Sequence, residues 1–256
     1  QNMPRFWSSS RLDAITDSGM VQSRVERDAR PRLDPWAHAI VSSRSNYLND
    51  YSFALTPVLD MLNHDATIKT RAKIDEGQNL LMSTDAVLNS NEEVFISYGD
   101  LSNLDTLCDY GFVSSTNPVN TETLPLRTLL LPGQTLQVTI QADGSIDGDT
   151  LLTLRKILAN AKELEEIEEK TKDKGSNADA LAFSRPVSDR NELEVQALVS
   201  AFVYEEVDTA RNGAKELSLR NRDGNGDDLV MRYLSARADT LQNGLNRIKK
   251  NFPDAF

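Results

Sequence analysis

The 256 residues are 39% hydrophobic and 26% charged, an ordinary globular composition, and they suit one large domain or two smaller ones, because single cores stop growing near ~250 residues. The net charge of −11, from 28 basic and 39 acidic residues, argues against a general phosphate-binding surface, so nucleic acid is not an expected partner. No apolar run approaches the ~20 residues needed to cross a bilayer, and a single cysteine, Cys108, excludes both an internal disulfide and a cysteine-rich zinc cluster.

The opening Gln1-Asn2-Met3-Pro4-Arg5 has the character of neither a signal peptide nor a transit peptide, and the chain is expected to be soluble, with no membrane partner. Residues 1–45 read as helices broken by loops. Pro31-Arg32-Leu33-Asp34-Pro35 punctuates them, because each proline disfavours helix at the residue before it. An apolar run from Pro57 ends abruptly in the polar cluster Asn63-His64. Asn79–Thr84 and Ala86–Leu88 read as short strands, followed by a polar turn at Asn89-Ser90-Asn91. Val94-Phe95-Ile96 reads as a buried strand that Gly99 ends, which stands Tyr98 at the strand's mouth. A helix is predicted over Leu101–Tyr110, with Cys108 packed as a small apolar residue beside Leu104 and Leu107. Close-set short strands, and no Gly-x-Gly-x-x-Gly after any strand, argue against a doubly wound dinucleotide fold.

After Thr121 the pattern changes. Leu136, Val138 and Ile140 alternate with polar residues and Asp143-Gly144 signals a turn, so a strand or hairpin opens this region. Three helices are predicted to follow, over Leu151–Lys174, Asn191–Arg211 and Asp227–Asn251. Asp189 and Glu192 are expected to form a capping box at the start of the second. The loops 171–180 and 221–228 are polar and read as mobile connections. Asp223-Gly224-Asn225-Gly226-Asp227-Asp228 has only a faint calcium-loop character, because Leu234 stands where that loop requires a glutamate.

Three motifs arrive in order: Asp60-Met61-Leu62-Asn63-His64, Glu92-Glu93-Val94-Phe95-Ile96-Ser97-Tyr98-Gly99 and Asp109-Tyr110-Gly111-Phe112-Val113. Together they resemble SET-domain protein methyltransferases, and most nearly the Rubisco large-subunit methyltransferase-like family; the resemblance is firm over residues 57–113 and loose elsewhere. It implies an α+β protein. Residues 1–123 would be the C-terminal part of a β-rich SET domain with its pseudoknot and a helical insert at about 1–45, and residues 124–256 an α-helical substrate-binding domain.

The resemblance also implies S-adenosylmethionine-dependent methylation of a lysine on a non-histone protein, by a chain acting as a monomer without a metal. Tyr98 matches the family's catalytic tyrosine. Arg44, Asp60, Asn63 and His64 match residues near the cofactor, and Tyr110 and Phe112 match aromatics that line the lysine channel or cover the adenine. The chemistry suits those residue types. Methyl transfer is an in-line displacement on a deprotonated amine, so a narrow apolar channel that lowers the lysine pKa and a tyrosine that orients the amine are what the reaction requires. Two features depart from the family. No Gly-x-Gly cofactor turn precedes the motifs, and Asn91 replaces the usual glycine before Glu92. Hence a second reading stays open, a non-catalytic protein-interaction module built on a truncated SET domain, and a histidine acceptor is a third. The family's members leave plastid, cytoplasm and nucleus all open as the compartment.

Overall fold

The computed structural model describes residues 3–8, 12, 21, 24, 25, 34–49, 52–77, 79–126, 135–172, 178–220 and 228–256. Two compact units share the chain: Gln1–Val119 with Asp223–Tyr233, and Asn120–Arg222 with Leu234–Phe256. The fold class is α+β. No helix among the described residues is long and apolar enough to cross a membrane.

The first unit is built from short pieces. Helix α1 (Pro35–Arg44) begins where Asp34 caps it, accepting the Ala37 N–H at 2.8 Å with Pro35 in the first turn, where a missing N–H costs nothing. Strands β1 (Ser45–Asn49) and β2 (Ser52–Leu55) form an antiparallel hairpin. Strand β3 (Asn63–His64) pairs in parallel with β6 (Phe95–Ile96), while β4 (Thr70–Ile74) and β5 (Leu80–Thr84) are antiparallel. A one-turn helix α2 (Asn103–Asp105) starts at a capping box between Ser102 and Asp105, and continues as a π-turn over Thr106–Tyr110 that Gly111 terminates at φ 80°.

Several expectations need correcting here. Ala86–Leu88 forms no strand, and the strand predicted from Val94 contains only Phe95 and Ile96, Val94 being exposed. The helix predicted from Leu101 starts at Asn103, since Ser102 and Asp105 satisfy its first N–H groups. Cys108 is buried beside fully buried Leu107. Asn91 adopts φ 67°, the left-handed conformation that glycine takes without penalty and asparagine tolerates best among other residues. The departure from glycine there therefore preserves the turn.

The second unit has a single dense core. Strand β7 (Thr121–Leu126) pairs antiparallel with β8 (Leu136–Gln141), and Leu124, Leu126, Val138 and Ile140 face inward. Helices α3 (Gly148–Leu158), α4 (Ala161–Thr171), α5 (Ala178–Phe183), α6 (Asp189–Arg220) and α7 (Asp228–Asn251), the last belonging to this unit from Leu234 on, follow. Leu154 of α3, the one-turn-apart stripe Val195, Val199, Val203, Val207 of α6, and Leu241, Leu245, Ile248 of α7 close over the hairpin. The helix predicted over 151–174 is two helices. Ala159 is extended, and Asn160 restarts the chain with a capping box: its side chain accepts the Glu163 N–H and the Glu163 carboxylate accepts the Asn160 N–H, each at 2.9 Å.

Asp189 and Glu192 do not cap α6. Ser188 does, accepting the Asn191 N–H at 3.0 Å, while Glu192 turns inward to a two-pronged buried pair with Arg155 at 2.7 and 3.1 Å. Helix α6 also runs nine residues past the predicted end at Arg211, to Arg220. The loop segments 173–177 and 221–227, the faint calcium motif included, lie outside the described residues, as do Pro31–Leu33.

Candidate functional site

The parallel pair β3–β6 brings the first two motifs together. Asn63 lies opposite Phe95 and His64 opposite Ile96, so the residues just past β6 run beside those at the end of the apolar run. Ser97 is held by Thr70, whose hydroxyl accepts its N–H at 3.1 Å. Tyr98 is gripped at two points. Its N–H donates to Nδ1 of His64 at 3.0 Å, and its hydroxyl donates to the Leu62 carbonyl at 2.6 Å. Gly99 follows at φ 117°, a backbone angle few other residues adopt, and turns the chain away.

Arg44 ends helix α1 and reaches the turn before β3. Its guanidinium donates to the Asp60 carbonyl at 2.9 Å and lies 3.8 Å from the Asp60 carboxylate. That turn is formed under strain. Val58 has φ 79° and ψ −50°, a rare backbone state for a β-branched residue, and its carbonyl accepts the Met61 N–H at 3.1 Å. The exposed Asn63 side chain donates to Glu93 at 2.6 Å, tying the first motif to the second.

The third motif enters through its aromatic rings. The Tyr110 ring lies 4.7 Å from Tyr98 and 6.1 Å from Phe112, and Phe112 lies 6.0 Å from His64. Gly111 in the left-handed conformation lets these neighbours flank a reversal of the chain. Arg24 ties down the same segment, pairing with Asp105 and Asp109 at 2.6 Å each.

Arg44, Asp60, Asn63, His64, Tyr98, Tyr110 and Phe112 all line one cavity of about 570 Å³, with Met3, Ser43 and Met61. A second cavity of about 360 Å³ adjoins it and shares Ser43, Arg44, Asp60, Tyr98 and Tyr110. Its other walls include Asn46, Thr70, Met82 and Ser97. Tyr98 thus borders two spaces at once.

The electrostatics follow from burial. Desolvation raises the Tyr98 phenol above its ordinary value, with Asp60 adding to the rise and Arg44 opposing it, so the hydroxyl stays protonated at neutral pH. Desolvation likewise lowers His64 below its ordinary value, against the opposing pull of the Ile96 carbonyl and Asp65. Among the groups sequence reasoning missed, the Leu62 carbonyl has no sequence signal, because a backbone acceptor looks the same at every position. Glu93 stood within a quoted motif without a role; its partner Asn63 is set by the strand pairing.

No protein-family model matches the chain. SET domain-containing protein 4 of Mus musculus is 34% identical over 94 residues, 32% of this chain and 21% of that protein. The protein-lysine N-methyltransferase EFM1 of Saccharomyces cerevisiae is 33% identical over 104 residues, 38% of this chain and 17% of that protein. The chain thus spans about a fifth of the length of the curated relatives it matches. A crystal structure of the SET domain of LSMT bound to lysine and AdoHcy superimposes with a TM-score of 0.64 at 17% identity, over 99% of this chain and 69% of that one.

Proposed function

We propose, on the premise that this chain is a SET-domain protein of the Rubisco large-subunit methyltransferase-like type, that it forms part of an S-adenosylmethionine-dependent protein-lysine N-methyltransferase. The observation that carries the reading is the pair of adjoining cavities meeting at Tyr98. A methyl transfer needs a donor and an acceptor to approach along one line from opposite sides. Relatives named as SET-domain and protein-lysine methyltransferase proteins, and a similar fold whose structure holds lysine and AdoHcy, support the same chemistry.

When bound, S-adenosylmethionine supplies an electrophilic methyl group on a sulfonium. Arg44, Asp60, Asn63 and His64 would hold it in the larger cavity, where an arginine, a carboxylate and an amide offer a zwitterion both signs of charge and polar contacts. Tyr98 donates its only hydroxyl hydrogen to the Leu62 carbonyl, so its lone pairs face the cavities and accept a hydrogen from the incoming amine. An amine held by one N–H can aim its lone pair at the methyl. The rings of Tyr110 and Phe112 exclude water from the acceptor, favouring the neutral amine that the reaction requires. The substrate is a protein carrying the lysine, and the second unit would be the helical domain that binds it. The charge of −11 suits a basic segment and disfavours nucleic acid.

Calorimetric titration of the chain with S-adenosylmethionine tests the proposal. Binding is expected for the wild type, with roughly a tenfold loss in Asn63→Ala from the removed amide contacts and little change in Tyr98→Phe. Absence of heat from the wild type would remove the cofactor site and leave the interaction-module reading, which the exposed Trp36, Phe53 and Val87 favour.

A further inference from the structure

His64 does something the proposed reaction has not yet used. A backbone N–H can only donate, so Nδ1, which lies 3.0 Å from the Tyr98 nitrogen, must present its lone pair. The neutral ring therefore carries its proton on Nε2, and that atom is buried with no hydrogen-bond partner. Protonating Nδ1 would set two N–H groups against each other across the same 3.0 Å. Either the imidazole is neutral and Tyr98 is gripped at both ends, or it is charged and the amide end is released.

We infer that His64 is a positioning residue whose neutral Nε2–H form fixes Tyr98 at the junction of the two cavities, and whose protonation releases it. The hydroxyl end of Tyr98 is anchored to Leu62 and the amide end to His64, two residues apart on the same short strand and its approach. The bond to Leu62 holds the phenol against the shared wall, and the bond to His64 holds the backbone from which it projects. The ring contacts brace the arrangement: His64 lies 5.1 Å from Tyr98 and 6.0 Å from Phe112, so the imidazole is held between the second and third motifs.

The groups around the ring offset a charge on it only in part, since burial outweighs the Ile96 carbonyl and Asp65. Asp65 adjoins His64 in sequence, but its carboxylate is committed to the Thr67 N–H at 2.8 Å and hydroxyl at 2.7 Å. Arg44 and Asp60 share the larger cavity and oppose each other's field. The segment 106–118 presents Thr106, Phe112 and hydroxyl or amide side chains, none of them charged. Strand β6 contributes the Ile96 carbonyl and Tyr98 itself. Burial among these groups disfavours the imidazolium, in line with the lowered pKa of His64.

The link to catalysis rests on the methyl-transfer reading, whereas the clamp does not. The test is a two-dimensional ¹H–¹⁵N titration of the whole chain, following both imidazole nitrogens and the Tyr98 amide. The protein has two histidines, so His38→Gln assigns the signals. The expected result is a Nε2–H tautomer for His64, titrating below its ordinary value of 6.5, with the Tyr98 amide shifting at the same midpoint and losing protection roughly tenfold below it. In His64→Asn, whose Oδ1 takes the place of Nδ1 and does not titrate, the Tyr98 amide should stay protected throughout.

A Nδ1–H tautomer, or a Tyr98 amide indifferent to the His64 midpoint, overturns the inference. Calorimetry with S-adenosylmethionine on the same samples separates the two claims. Binding with the wrong tautomer leaves methyl transfer standing and removes the clamp, while the right tautomer without binding does the reverse.

Discussion

The two units spend their apolar residues differently. In the second, the hairpin β7–β8 and helices α3, α6 and α7 bury Leu124, Val138, Ile140, Leu154, Val195 and Leu241 completely. In the first, three strand pairs of two strands each flank two cavities, and large apolar side chains from Trp36 and Phe53 to Val87 and Val94 remain exposed. A continuous core gives each buried residue many neighbours and stabilises the whole unit cooperatively. Short paired strands around open space give less. The lesson is that the unit bearing the candidate chemistry holds its side chains by specific hydrogen bonds, such as those on Tyr98, where the other unit adds a continuous core to its buried ion pairs.

Substitutions can break or sharpen this contrast, and the spectroscopy is favourable. Both tryptophans, Trp7 and Trp36, belong to the first unit, so their fluorescence reports on it while far-ultraviolet ellipticity is weighted to the long helices of the second. The largest effect is expected from Arg237→Met. Arg237 lies 3.2 Å from the buried Glu122 carboxylate and 2.7 Å from Glu206, and burial already pushes Glu122 up. Leaving that carboxylate without its cationic partner should cost about 3–5 kcal/mol in urea unfolding followed by ellipticity. An unchanged midpoint would mean that the charge network is not supporting the core.

Leu154→Ala should cost about 3 kcal/mol by the same measurement, the loss expected for a fully buried leucine that leaves a cavity. Next comes a matched pair of glycines. A methyl group on Gly144, at φ 79°, would lie 2.3 Å from the Asn243 carbonyl oxygen, so Gly144→Ala should cost about 2–3 kcal/mol. At Gly99, φ 117°, nothing lies within 4 Å, and Gly99→Ala should cost only the conformational strain of about 1–2 kcal/mol. Equal losses at the two glycines would blur the distinction between packed and open units.

Acid should act on the second unit as well. Glu163 accepts hydrogen bonds from Arg190, Ser188 and Asn160, which hold its carboxyl down from 4.5 to about 2. Its folded pKa lies below the unfolded one. The stability it adds is therefore fully present above pH 4.5 and is lost as pH falls towards 2. Ellipticity midpoints in denaturant should decline across that window, and Glu163→Gln should flatten the decline. The smallest effect is expected for Phe53→Ser in the first unit, within about 0.5 kcal/mol by tryptophan fluorescence, since Phe53 is 60% exposed. A larger loss would show that this apolar face is covered in solution.

Some of the chain was legible because its signals are local. The alternation Leu136, Val138, Ile140, the long apolar stripe of α7 and the breakers Gly99 and Gly111 each depend on a few neighbouring residues. The break at Ala159-Asn160 had a signal, asparagine followed three residues later by glutamate, which a continuous apolar stripe on both sides concealed. The start of α6 departs from its local signal for another reason. Glu192 has the spacing of a capping residue, but a buried arginine from α3 outbids the local backbone for its carboxylate, and no local rule foresees a partner 37 residues away.

The sequence by itself determined the hairpin and the long helices α6 and α7 of the second unit, and the three ordered motifs that carry Asn63, Tyr98 and Tyr110 and whose family resemblance implies the α+β class. Periodicity, turn residues and motif order are written along one dimension. The tertiary structure alone decided that these motifs surround two adjoining cavities, that the Leu62 carbonyl takes the Tyr98 hydroxyl, and that His64 offers Nδ1 to the Tyr98 amide. Those depend on the parallel register of β3 against β6, which joins residues more than thirty positions apart. A backbone carbonyl and a histidine tautomer acquire their roles only from such a pairing.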